Sequence, residues 1–389
     1  MQVRSKAFII FFICFLFIPS PSQGSDQQSI ITDQFEQLEL DEVDTFLKKV
    51  DEDIYDQLSG ISLAELFDDV RQGKLDLELS DIFNALLRYF CREFLTHTSL
   101  LGKLIILGAL LALIEHLQNA FEQNTVAKLA HALGMLILLT VALSSFAIAL
   151  NTGRDAIGNM VGFMQAMIPV IMTLMAAMGN LTTVALMQPV IFISSNILAT
   201  LIQNIVFPLI FCAAVLSIVS SLSERFKVSR LADLIRDGSV LLVSLVLTIF
   251  IGILGIQGVA GAVTDGVGLR TVKFLTGSFV PVVGGVLTDA VDAIVGCSLF
   301  IKNGVGVIGA LAILIMCALP VIKILSAAVM YRLAAALLEP IGARQLSETL
   351  HLLGNYLFIV FGAVAAVGLM FFIVLTIIVG LGNFSVMLR

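Results

Sequence analysis

From about residue 100 onward the sequence passes through one apolar stretch of membrane-spanning length after another, and nothing else limits its fold so strongly. These stretches cover 100–114, 132–150, 157–178, 183–201, 206–222 and 240–258, then the 270s to the 330s with interruptions, and finally 352–381. A hydrocarbon core about 30 Å thick takes about 20 helical residues to cross. Inside it every backbone polar group must be paired within the segment. The expected fold is therefore all-α, a polytopic helical membrane protein of about seven to ten spans. The range stays open because 181–222 and 271–338 each divide in more than one way. Composition agrees: 58% of residues are hydrophobic and 13% charged, against roughly 45–50% and 25% in soluble domains. A soluble enzyme, a disordered chain and a disulfide-stapled secreted module are excluded.

The start of the chain reads differently. Arg4 and Lys6 precede an apolar run at 7–18, too short to span, followed by Pro19, Ser20, Pro21, Ser22, Gln23 and Gly24. That order predicts a signal peptide over 1–24, with an uncleaved anchor as the alternative. Residues 25–98 hold 18 acidic and 6 basic side chains, and form an acidic helical extracytoplasmic segment ahead of the 99–389 membrane domain. Helical spacing recurs there at Val43, Phe46, Leu47, Val50, Ile54 and Leu58, and Ser62 with Glu65 makes a capping box. Ser80 is placed to cap a further helix with Phe83, Leu86, Leu87, Phe90 and Phe94 on one flank. That helix either closes a small bundle or lies in the membrane interface or against a partner.

The 223–238 loop carries Arg225, Lys227, Arg230 and Arg236, the most basic short loop in the chain, which assigns it to the cytoplasm. Five spans before it satisfy an extracytoplasmic start. Two similar units, about 125–222 and 227–338, also emerge. Pro169 and Pro208 match Pro281 and Pro320, each pair 39 residues apart, which reads as an internal duplication or a chance likeness. Duplicated halves with helices broken at such prolines are a transporter construction.

Residues 252–309 are the least ordinary. Gly252, Gly255, Gly258 and Gly261 recur every third residue, reading as a ridge for close helix approach. Asp265, Arg270, Lys273, Asp289, Asp292 and Lys302 then follow among glycines. Such charges cost roughly 2.5–3.5 kcal/mol each at membrane depth. Two readings are open: a broken or re-entrant segment lining a polar path, or an aqueous loop between spans. Gly304, Gly306 and Gly309 fit a dinucleotide-binding spacing without its strand–turn–helix setting, and read as helix packing. No Walker motif, metal-ligand spacing or nucleophile–base set is present, so no enzymatic activity and no cofactor is expected. Nucleic-acid binding lacks the basic stripe it requires.

The strings LQNAFEQNTVAKLA at 117–130, QNIVFPLIFCAAVLSIVSSLSERFKVSRLADLIR at 203–236, QGVAGAVTDGVGLRTVKFLTGSFVPV at 257–282 and IKNGVGVIG at 301–309, with the ending at Arg389, resemble the stage III sporulation protein AE family of endospore-forming bacteria. The resemblance covers nearly the whole chain after the signal region. It implies a multi-pass protein of the mother-cell membrane around the forespore, with its N-terminal segment extracytoplasmic. It implies partners: the other membrane and ring components of the stage III complex, a cytoplasmic ATPase subunit, and a forespore membrane protein across the intermembrane space. It implies a permease-like or channel-core role in a secretion-like feeding apparatus for late forespore development. A non-conducting assembly scaffold and a stand-alone secondary transporter are the alternatives.

Overall fold

The structure is a computed structural model that describes residues 79–120, 125–222, 227–279 and 283–387, all within one compact unit, Leu40–Arg389. The signal run, the acidic segment up to residue 78, Arg225 and Pro281 lie outside the described residues. What is described is helical: α1 Leu79–Thr96, α2 Thr98–Ala120, α3 Thr125–Ala177, α4 Leu181–Leu201, α5 Phe207–Leu222, α6 Ser229–Phe279, α7 Val283–Leu338 and α8 Arg344–Met387. A π-helical turn, Ile202–Val206, joins α4 to α5 without a break.

Six apolar helical stretches are long enough to cross a membrane among the described residues: Asn84–Ile114, Ala132–Ala177, Leu181–Ser221, Ser229–Gly268, Ile294–Leu338 and Arg344–Phe384. Against the expected seven to ten spans, the described residues hold six such helices. Runs read as separate spans, 132–150 with 157–178 and 183–201 with 206–222, stack end to end in continuous helices. The polar string at 151–156 does not interrupt α3: the helix pairs its own backbone, and Arg154 exchanges hydrogen bonds with Gln203 at 3.1 and 3.0 Å. Three such stretches, rather than five, precede the basic connection. The first starts at Asn84, earlier than expected, and its hydrogen-bond ladder runs on through His97, the residue between α1 and α2.

Of the four prolines expected as helix breaks or packing points, Pro169, Pro208 and Pro320 break no helix, and Pro281 lies outside the described residues. Pro169 and Pro320 lie inside continuous helix, as does Pro189, which the sequence had not singled out, and Pro208 is the second residue after the π turn. Each proline removes a single backbone donor, and the rest of the helical ladder continues through it. Residues 252–279 and 283–309 are helix as well, so no break is seen among the described residues of the 252–309 stretch, and 280–282 lie outside them. Real turns occur where glycine allows positive φ: Gly179 at 84° between α3 and α4, and Gly342 at 95° between α7 and α8.

The centre is the antiparallel α7–α8 hairpin. Gly306 faces Val379, Gly368 faces Cys317 and Gly354 faces Arg332, so each admits a side chain from the other arm, while Gly309 faces Met167 of α3 first and Leu375 of α8 next. Gly306 and Gly309 are therefore packing residues, as their spacing suggested. α3 lies along both arms, where Tyr331 Oη donates to Ala142 O at 2.6 Å. α6 lies against α4, α5 and α8, and α1 against α7. Ser217 and Tyr356 share a hydrogen bond of 2.7 Å, tying α5 to α8. Gly306→Leu should cost about 1–3 kcal/mol by overpacking against Val379. A lowered melting temperature of the detergent-solubilised chain would report it, and an unchanged one would remove this account of the hairpin.

Candidate functional site: a polar layer at one end of the bundle

Four elements converge where α3 turns into α4: the first turn of α4, the 257–265 stretch of α6, the 302–306 stretch of α7 and the last turns of α8. Their closeness follows from the glycines. On α6, Gly258 abuts Leu381 of α8, and a Cβ at Gly261 would lie 2.9 Å from Thr183 Cα and from its Oγ1. Gly252 and Gly255 have open space at their Cβ positions. The four-glycine ridge is thus a two-glycine contact. At about 100° per residue, the nine residues from 252 to 261 rotate the helix by about 180° net, so the two ends of the series face opposite ways.

Asp265 lies one turn beyond Gly261 on the same face. Its Oδ1 accepts from the Thr182 amide at 2.9 Å and its Oδ2 from the Thr183 amide at 2.8 Å. Asn180, at the N-cap position of α4, makes no side-chain capping bond. A carboxylate from another helix therefore does the capping, where the helix dipole favours negative charge. Asp265 is 6% exposed.

Lys302 is fully buried. Its Nζ donates to Val379 O at 2.8 Å and to Asn383 Oδ1 at 2.9 Å. Both acceptors are neutral. A Cβ at Gly382 would collide with the ammonium group, so the glycine is what leaves it room. Leu381 links the two centres, since it touches Gly258 while its neighbours Val379 and Asn383 hold Lys302.

Around these charges five buried side-chain atoms have no hydrogen-bond partner: Asn180 Nδ2 and Oδ1, Thr183 Oγ1, Gln257 Oε1 and Asn303 Oδ1. Each such atom costs about 1–3 kcal/mol if it stays unpaired. Buried polar atoms of this kind are satisfied when water or another polar group comes within reach. Among the described residues no group of three or more His, Cys, Asp or Glu side chains could hold a metal ion.

Of the six charged residues expected along a polar path, the structure brings Asp265 and Lys302 to the same end, each with its own partners. Arg270 is exposed near the end of α6, while the side chains of Lys273, Asp289 and Asp292 lie outside the described residues. Asn180, Thr183, Gln257, Asn303 and Asn383 had not been expected. The signal that could have found them is an uncharged polar residue inside an apolar run. At the other end of the bundle, the basic 223–238 loop is shorter than expected, because α6 begins at Ser229. Lys227 and Arg230 are exposed there, whereas Arg236 is held by Asp233 at 3.0 Å and Asp237 at 2.9 Å.

The family model described as stage III sporulation protein AE matches residues 61–382. Stage III sporulation protein AE of Bacillus subtilis (strain 168) is 43% identical over 305 residues, which cover 78% of this chain and 76% of that protein. No solved structure matches the chain.

Proposed function

Because the chain belongs to the stage III sporulation protein AE family, we propose that it is the permease-like or channel-core component of a sporulation membrane complex, set in the mother-cell membrane and serving late forespore development. A role in sporulation comes with the family. Six helices long and apolar enough to cross a membrane suit a multi-pass protein of such a complex. The exposed Lys227 and Arg230 offer a cytoplasmic ATPase subunit a docking point, and the acidic N-terminal segment faces the intermembrane space.

One observation carries the permease reading: the fully buried amino group of Lys302, held by the neutral oxygens of Val379 and Asn383. An anchor has no use for so expensive a group in its apolar interior, whereas a polar route does. Lys302→Met keeps the length and apolar stem of the side chain and removes its buried polar head, at a cost of about 1–3 kcal/mol for leaving Asn383 Oδ1 without its donor. Spore formation is expected to fall at least tenfold while membrane levels of the chain and its co-purification with the complex stay unchanged. Normal sporulation by this variant would remove the route. A loss that tracks failed assembly would instead favour the scaffold. Uptake of solute by liposomes containing only this chain would favour the stand-alone transporter.

A further inference from the structure

The outward face of α3 changes character halfway along its length. Leu133, Leu136, Ile137 and Ile148 are exposed on it. Beyond Ile148 the same side presents Asn151, Arg154, Asp155 and Asn159, all exposed. Gly158 lies among them, and a Cβ there would meet only Gln203 Nε2, at 3.5 Å. A neighbouring helix can therefore approach closely at that point.

The π turn anchors this waist from the other side. Arg154 Nη2 donates to Gln203 O at 3.1 Å, and Gln203 Nε2 donates back to Arg154 O at 3.0 Å. Farther along, Gln165 Nε2 donates to Asn196 Oδ1 at 3.0 Å. π turns inside α-helices are rare and gather at functional sites. Here the turn exposes a carbonyl that fixes Arg154 at the middle of two long helices.

Length decides what must cover this face. The Ala132–Ala177 stretch has 46 residues, about 69 Å at 1.5 Å per residue. That is roughly twice the hydrocarbon thickness of a bilayer. Wherever one bilayer sits along α3, either the charged waist lies in lipid or an apolar half projects beyond it. Both outcomes call for protein against this face. The charges point to which protein: a cation and an anion on successive residues are complementary to themselves under two-fold symmetry.

We propose that the 151–159 face of α3 docks against the same face of a second copy of the chain, Arg154 of each copy meeting Asp155 of the other. The pairing is independent of whether the chain conducts. Gly158 brings the two helices together, and Asn151 and Asn159 supply the hydrogen-bonding flanks.

The test uses the full-length chain in its own membranes, with a photoactivatable residue placed at Asn159. Illumination is expected to give an adduct of about twice the chain's mass that contains only this chain. Asp155→Arg, which leaves the Arg154–Gln203 contacts intact, should lower that yield at least tenfold. Co-expression of an Asp155→Arg copy with a differently tagged Arg154→Asp copy should restore a mixed adduct to within about twofold of the original. An adduct with another protein, an absence of protein adducts, or an Asp155→Arg variant that still cross-links to itself would each overturn the proposal. The unsubstituted chain carrying the probe decides the matter even if Arg154→Asp fails to accumulate.

Discussion

Asp265→Ala is expected to detach the first turn of α4 from α6 and to destabilise the bundle by about 3 kcal/mol. The change strips the Thr182 and Thr183 amides of a charged acceptor at 2.9 and 2.8 Å. Hydrogen bonds to charged groups are worth about 1.5–3 kcal/mol each, and buried donors left unpaired bear their full desolvation cost. Asn180 cannot compensate, since it makes no side-chain capping bond. Asp265→Asn keeps one acceptor and turns the other towards an amide as a donor, so it should cost less than Ala but more than nothing. Gly261→Leu should reproduce the defect while leaving the carboxyl in place. Its Cβ would lie 2.9 Å from Thr183 Cα, and a backbone atom cannot swing aside. Thermal unfolding and protease resistance of the solubilised chain check all three. If the Ala variant were as stable as the original chain, the cross-helix cap would have no role in holding α4.

The second large effect is expected at Lys302. Lys302→Glu would set a buried carboxylate against Val379 O and Asn383 Oδ1, which are acceptors and have no proton to give it. Leaving one buried charge without compensation costs about 3–5 kcal/mol. Gly382 packs directly on the lysine, so the new side chain has no route to water past α8. Little monodisperse protein should be recovered from membranes, whereas Lys302→Met should be recovered in near-normal amount. The contrast between the two substitutions separates a fault in folding from a fault in function. Equal, normal recovery of Glu and Met variants would mean that the ammonium group is not sealed in at all.

The glycines show how far the sequence could be read. Gly306 and Gly309 were legible as helix packing because an apolar run surrounds them and no nucleotide-binding setting does. The series at 252, 255, 258 and 261 was legible as close approach but not as to which members make it. A period of three drifts against a helix of 3.6 residues per turn, so only Gly258 and Gly261 meet neighbours. The charges at 265 and 302 were legible as expensive and therefore meaningful. Their partners were not, because a backbone amide 83 residues away and a carbonyl 77 residues away leave no local trace.

The polar string at 151–156 and the Gln203–Asn204 pair show the opposite case. Each reads as a divider between two spans, since hydropathy falls where they occur. Helix continuity is settled by whether the polar groups find partners, and Arg154 and Gln203 find each other across the α3–α4 hairpin.

By itself the sequence determined that this chain is helical and apolar along most of its length, since so few charged residues leave lipid or protein as the only surroundings and lipid accepts only a backbone that pairs with itself. Tertiary structure alone decided which helices are continuous, which glycines are contacts, and which charges are caps or ties. The physical reason is range. Apolar patterning acts over a few turns of one helix, whereas the cap on α4, the seat of Lys302 and the waist of α3 each depend on atoms that only folding brings within hydrogen-bonding distance.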